Sequence, residues 1–313
     1  MKASKQLIVI FFSLVLVITG VISVYTHAAP AGVTTESKYP GLFSSALKLA
    51  IPDSLPKGEL LVFGKLKITQ EQLNAEIGKT NVSVREQLRD NPFFILEQMA
   101  VQQLILEEAK AWMTSKKLDT KGMEDEDIIR RYIMDLTASV SVSTAEAKKF
   151  YDSNPEMFGG ARFDQVETQL KSYLLNNKSQ EFLETHIDNL GKRNEIKISD
   201  TWAKSQYGRA LDNPVDKARR SGRPSFINFG ATGCVPCDMM APIREEIKKE
   251  YAGILNVEFI NVNQQQILGA RYGTSSIPVQ VFFDKNGKEF FRHVGFFPKD
   301  EILKKLKEMG AIK

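Results

Sequence analysis

The chain holds two cysteines, and only two residues separate them: Cys234-Val235-Pro236-Cys237. The run Ser225 to Phe229 before them predicts a strand, and the residues after them predict a helix, so the pair sits at a helix start. Free backbone N–H groups and the positive end of the helix dipole stabilise a thiolate there, which makes the first, more exposed cysteine a candidate nucleophile near neutral pH. A second cysteine one turn into the helix is near enough to close a disulfide and release a bound substrate. Other chemistries fit less well. A structural zinc site normally takes four ligands, and only His27, His186 and His293 could join the cysteines, so no metal and no other cofactor is predicted. A c-type haem site needs histidine after the second cysteine, where Asp238 stands. A purely structural disulfide suits an exported protein, but so short a loop gains little from closure.

The elements that must position this pair come in an ordered series. Val257 to Val262, Val279 to Phe283 and Glu289 to Val294 are strand-like, and Lys299 to Met309 is helical. The order is βαβ, then a hairpin and a helix, which predicts an α/β domain with a central mixed sheet flanked by helices over residues 215–313. Asn286-Gly287 is predicted as a two-residue hairpin turn with both residues at positive φ.

Residues 59–198 have a different texture. After a short strand at Leu60 to Phe63, apolar residues recur at helical spacing. Pro92 opens one helix, Glu124 to Asp127 supply acidic charge to the start of another, and Ser143 to Glu146 form a capping box. A long amphipathic helix runs from Phe163 and is predicted to stop at Gly191. The stretches 29–58, rich in proline and glycine, and 199–214 read as linkers. His186 reads as a packed side chain, His293 as a surface residue near the site, and Met239 and Met240 as buried.

At the start, Lys2 and Lys5 precede an uncharged, mainly apolar run from Leu7 to Tyr25, so residues 1–28 read as a signal peptide or membrane anchor. Either would place the rest of the chain outside the cytoplasm, in the periplasm or on the outer face of the inner membrane, with the lipid bilayer as a partner if the segment is retained. A formal charge of +4 without a basic, aromatic-interleaved stripe excludes nucleic acid as a predicted partner.

Residues 215–313 closely resemble the thioredoxin family. The resemblance rests on Phe226-Ile227-Asn228-Phe229-Gly230-Ala231, the Cys-Val-Pro-Cys site, Met239-Met240-Ala241-Pro242, Tyr272-Gly273 before Ile277-Pro278, and Val294-Gly295. It implies Cys234 as attacking thiol, Cys237 as resolving thiol and Pro278 as a cis-proline facing them. Ser276, Ile277, Pro278, Val235 and Pro236 then line the substrate site, where an extended peptide pairs with exposed backbone. Two departures stand out: the family's buried aspartate and partner lysine correspond to Asn228 and Phe259, and Gly233 replaces the usual tryptophan. The Val-Pro dipeptide resembles that of exported TlpA-type thioredoxins, which favours a reductase.

Residues 59–198 resemble the helical chaperone region of SurA- and PrsA-type folding factors. That likeness is carried by Ile68-Thr69-Gln70-Glu71, Phe150-Tyr151-Asp152, Asn154-Pro155-Glu156-Met157-Phe158 and the helix from Phe163. Gly159-Gly160 stands where such proteins carry a parvulin domain, so no prolyl isomerase activity is predicted. The expectation is a two-domain, extracytoplasmic protein thiol-disulfide oxidoreductase. Its partners would be unfolded or disulfide-bonded exported proteins and a membrane or periplasmic thiol-disulfide electron partner. The alternative is a holdase whose cysteine pair is structural.

Overall fold

The computed structural model describes residues 32–153, 155–274 and 276–313. The predicted signal or anchor segment lies outside them, and among the described residues no helix is long and apolar enough to cross a membrane.

The N-terminal region is mainly helical but is organised by a sheet. It begins with α1 (Thr35–Lys38), a 3-10 turn (Ala46–Leu49), β1 (Ile51–Asp53), β2 (Glu59–Phe63) and β3 (Leu66–Thr69). Helices α2 (Gln70–Gly78), α3 (Val82–Asp90), α4 (Pro92–Ser115), α5 (Asp125–Thr137), α6 (Thr144–Ser153) and α7 (Phe163–Arg193) come next, then β4 (Ile196–Ser199) and α8 (Asp200–Ala210). The strands form a four-stranded sheet in the order β1-β4-β2-β3, with β1 parallel and β2 antiparallel to β4. The sequence thus returns after α7 to complete a sheet begun before α2.

This closure overturns both predicted linkers. In the described part of 29–58, Leu42, Phe43, Ala46, Leu47 and Ala50 are buried in the same core as Leu61, Leu96 and Ile198. Glu97 on α4 fastens the segment: its carboxylate accepts from the backbone N–H groups of Ser44 and Ser45 at 3.0 and 2.8 Å and from both hydroxyls. Residues 199–214 are mostly α8, whose Ala203 and Ala210 are buried in that core. Gly191 does not stop α7, which runs on to Arg193; it lets the helix approach the 3-10 turn, since a Cβ there would lie 2.5 Å from the Ala46 carbonyl oxygen.

The C-terminal domain comprises α9 (Pro214–Arg219), β5 (Ser225–Gly230), α10 (Val235–Glu250), β6 (Asn256–Asn261), α11 (Gln266–Arg271), β7 (Val279–Phe283), β8 (Glu289–Val294) and α12 (Lys299–Glu308). The sheet order is β6-β5-β7-β8, with β5 parallel to β6 and β7 antiparallel to both neighbours. Because side chains alternate along a strand, Ile227 and Phe229 face α9 and α11, while Phe226 packs with Met240 and Ile247 of α10 and Ile302 of α12. The hairpin differs from its predicted form. Only Gly287 has positive φ, and the Asp284 carboxylate accepts from the N–H groups of Asn286 and Lys288 at 2.8 and 2.9 Å, which favours a longer loop.

The two regions meet through α11. Ile267 joins the N-terminal core, and its N–H donates to the Gln87 side chain of α3 at 3.2 Å. Arg271 donates to the carbonyls of Ala210 (2.8 Å) and Gly41 (3.2 Å), lies 4.8 Å over the Phe93 ring and pairs with buried Asp216 at 3.4 Å.

Candidate active site at the start of α10

Strand β5, buried along its length, ends at Gly230, and the chain crosses Ala231 to Gly233 before entering α10. Gly233 has φ of +81°, a conformation that suits glycine and turns the chain into the helix. Cys234 is the N-cap of α10, Pro236 occupies its first turn, and Cys237 lies one turn in. The two cysteines are joined in a disulfide with Cα atoms 5.2 Å apart. Cys234 is half-buried and Cys237 is buried, the asymmetry that an attacking and a resolving sulfur require.

Strand register brings the second predicted element to the same place. Val279 pairs with Phe229, so Pro278 is set opposite the Gly230 end of β5. The Ile277–Pro278 bond is cis, and the Pro278 carbonyl accepts from Gly295 N–H at 2.8 Å. Ser276 is exposed, Ile277 and Pro236 are half-buried, Pro278 is buried, and Val235 is 72% exposed. Met239, expected inside, is 51% exposed on the first turns of α10, while Met240 is fully buried. An apolar rim, formed by Val235 and Met239 with Phe259 at the sheet edge, therefore borders the disulfide.

Behind the disulfide the sheet presents an unusual row. Phe259, Asn228, Gln280 and His293 are successive partners across β6, β5, β7 and β8. Asn228 and Gln280 are fully buried, and Asn228 Nδ2 and both amide atoms of Gln280 have no hydrogen-bond partner. His293, expected at the surface, is half-buried with its ring stacked on Phe297 at 4.2 Å and Nε2 3.1 Å from the Phe296 carbonyl. Arg244, which the sequence did not bring to notice, reaches in from α10: its guanidinium lies 4.4 Å over the Phe259 ring and 3.5 Å from Asn228 Oδ1. A cation seven residues after the second cysteine, on the same helical stripe, was the available signal.

Outside this domain, His186 is packed as expected, but it also carries an ion pair. Its Nε2 is 2.5 Å from Glu108, which Arg193 also contacts at 3.0 Å. Burial opposes ionisation of Glu108, but hydrogen bonds from His186 and Tyr132 and the neighbouring charges hold its carboxyl below the usual range. This cluster fastens α4 to α7. Among the described residues no group of three or more acidic, histidine or cysteine side chains could hold a metal ion.

Fold and site together define a helical region followed by an α/β domain of thioredoxin-like architecture, with a disulfide at a helix start. A family model described as a thioredoxin-like domain matches residues 211–310. The chain is 33% identical over 98 residues to thioredoxin from Staphylococcus epidermidis, covering 31% of this chain and 92% of that one. The same figures hold for thioredoxin from Staphylococcus aureus. M-type chloroplastic thioredoxin from Pisum sativum is 36% identical over 88 residues, 28% of this chain; the chain spans about half of that protein's length, 51%. A crystal structure of chloroplastic thioredoxin z is similar at 23% identity, covering 31% of this chain and 86% of that one, with a TM-score of 0.29, too low to carry weight. Through its C-terminal domain the chain belongs to the thioredoxin family, and this membership suggests a thiol-disulfide oxidoreductase.

Proposed function

We propose that the protein is an extracytoplasmic protein thiol-disulfide oxidoreductase that works mainly as a reductase on exported polypeptides. The observation that carries this reading is the Cys234–Cys237 disulfide at the N-terminus of α10, with one sulfur half-exposed and the other buried. In the reduced protein the Cys234 thiolate attacks a substrate disulfide, forming a mixed disulfide and expelling one substrate thiolate. Cys237 then attacks Cys234 Sγ, the bond to substrate breaks, and the second substrate thiolate leaves. Two electrons pass to the substrate, and a thiol-disulfide partner at the membrane or in the periplasm supplies two more to reduce the Cys234–Cys237 disulfide again.

Ser276, Ile277 and Pro278 supply the edge against which an extended substrate peptide lies, and Val235 and Pro236 form the opposite lip. The exposed rim residues Val235 and Met239 support such contact, since apolar side chains beside a reactive sulfur favour unfolded segments over bulk water. The helical region holds the client in this reading, supported by the exposed apolar side chains Met134 on α5 and Leu175 and Phe182 on α7. Export rests on the apolar run Leu7–Tyr25 that comes after Lys2 and Lys5.

Turnover of insulin disulfides by the full chain tests the chemistry. Cys234→Ser lowers the rate by on the order of a thousandfold or more, because no other thiol can start the exchange. An unchanged rate refutes the enzymatic reading and leaves the holdase, whose suppression of client aggregation survives loss of both cysteines.

A further inference from the structure

Beside the row behind the disulfide lies a largely buried cation, Arg244, next to the position where the family pattern has a carboxylate. Asn228 occupies the aspartate position and cannot accept a proton from Cys237. Arg244 stands two turns after Cys237 on one stripe of α10, roughly 10 Å along the axis. Helical side chains lean towards the N-terminus, so the guanidinium is carried back towards the cysteine. Phe259 links the two: the Cβ position on Gly230 lies 3.0 Å from the Phe259 ring and 3.4 Å from Cys237 Sγ, and the Arg244 guanidinium caps that same ring.

The Arg244 side chain is only 12% exposed. Among the described residues its ionic contact, Nε to Glu245 at 3.3 Å, is to a carboxylate that is 64% exposed and faces solvent. On the inner side, among the described residues, it meets the Asn228 amide and the Phe259 ring, neither of which bears a negative charge. A cation largely withdrawn from water without an equally withdrawn counter-ion is unfavourable, and the anion that would compensate it forms during the reaction, when Cys237 loses its proton. The open Asn228 Nδ2 and Gln280 Nε2 donors lie in the same buried layer.

We propose that Arg244, steadied by Asn228 and Phe259, is the positioning residue that holds the Cys237 sulfur as a thiolate for the resolving step. This inference rests on the redox reading above. The Cys237 proton passes to water, the Cys234–Cys237 bond forms as the Cys234–substrate bond breaks, and the departing thiolate takes up a proton from solvent. Charge stabilisation thus replaces a buried base. The other groups about the site are Asp238 and Glu245 on α10, the Lys299 pair with Glu246 between α12 and α10, and His293 on β8; Glu258 on β6 points to the opposite face from Phe259.

Rapid mixing of the reduced full chain with a substoichiometric nitrobenzoate disulfide separates the two steps. The first aryl thiolate is released when Cys234 attacks and the second when Cys237 closes the ring. The second phase, followed from about pH 5 to about pH 9, reports the apparent pKa of Cys237. Arg244→Met raises that pKa by about one unit, slowing closure about tenfold on the acidic limb, with the rates converging at alkaline pH. Arg244→Lys restores most of the shift, and His293→Gln leaves it in place. Arg244→Gln, polar but uncharged, moves the limb upward in the same way and carries the test if Arg244→Met does not fold. Limbs that superimpose on the parent protein's in either variant overturn the proposal. A missing first phase in the parent protein instead defeats the redox reading itself.

Discussion

Two buried polar sites, one in each region, are handled in opposite ways. In the N-terminal region Glu97 is buried with its oxygens bonded to Ser44 and Ser45, and the Glu108 carboxylate is shared between His186 and Arg193. Such groups fasten one segment to another. In the thioredoxin-like domain Asn228 and Gln280 are more deeply buried, yet their amides remain open beneath the disulfide. Native interiors leave few polar atoms unpaired, and such sites are places where charge or protons are managed. At these two places the satisfied carboxylates fasten chain segments, whereas the unsatisfied amides lie beneath the candidate site.

The sharpest way to break this contrast is at the junction. Arg271 is the cation that ties Asp216 of the redox domain to Gly41, Ala210 and Phe93 of the other region. Arg271→Met leaves Asp216 with only its bonds to Arg219, Asn213 and Tyr272 and lowers stability by about 3 kcal/mol. It also splits denaturant unfolding, followed by circular dichroism, into two transitions; a single transition with an unchanged midpoint would show that the junction fastens nothing.

Within the N-terminal region Gly191→Val drives a side chain into the Ala46 backbone and costs about 2 kcal/mol. Because the strain lies far from α10 in the sequence and in another core, insulin reduction by the folded variant stays at the parent rate. Chemical denaturation and activity measured on one sample check both halves of that expectation.

Glu184 on α7 is one of the unsatisfied groups of the N-terminal region, with Oε2 buried and unpaired, as are Arg85 Nε and Gln206 Oε1. Burial, reinforced by Asp188 and Glu181, raises its pKa to about 8, against the opposing pull of Arg292 and Lys48. The folded state then favours the protonated acid, so this group's contribution is whole below the ordinary carboxylate range and is lost as pH rises towards about 8. Glu184→Gln removes the dependence: its melting temperature exceeds that of the parent chain above about pH 8 and approaches it near pH 4. Parallel melting curves at every pH would contradict this.

The redox site was legible because its parts are local. A strand, a glycine, two cysteines three positions apart and a helix succeed one another directly, and short-range geometry suffices to bring the sulfurs together. The alternating runs of β5 to β8 likewise declared themselves through period and punctuation. The sheet of the other region did not. Ile51 to Asp53 and Ile196 to Ser199 are short strands at opposite ends of that region, and nothing in either one names the other as its partner. Prolines and glycines between 30 and 58 hid Leu42, Phe43 and Leu47, whose burial depends on α4 and α7 arriving later in the chain. Arg271 and Arg244 drew no notice because charge in a sequence carries no record of what will cover it.

By itself, then, the sequence determined the cysteine pair, the helix at whose start it lies and the family of folds that could hold both. Only the tertiary structure decided which segment closes the N-terminal sheet, which cation joins the regions and which one lies behind Cys237. The reason is range: backbone preference and side-chain period act over a few residues, whereas burial, ion pairing and the loss of water are set by chain segments far apart until folding brings them together.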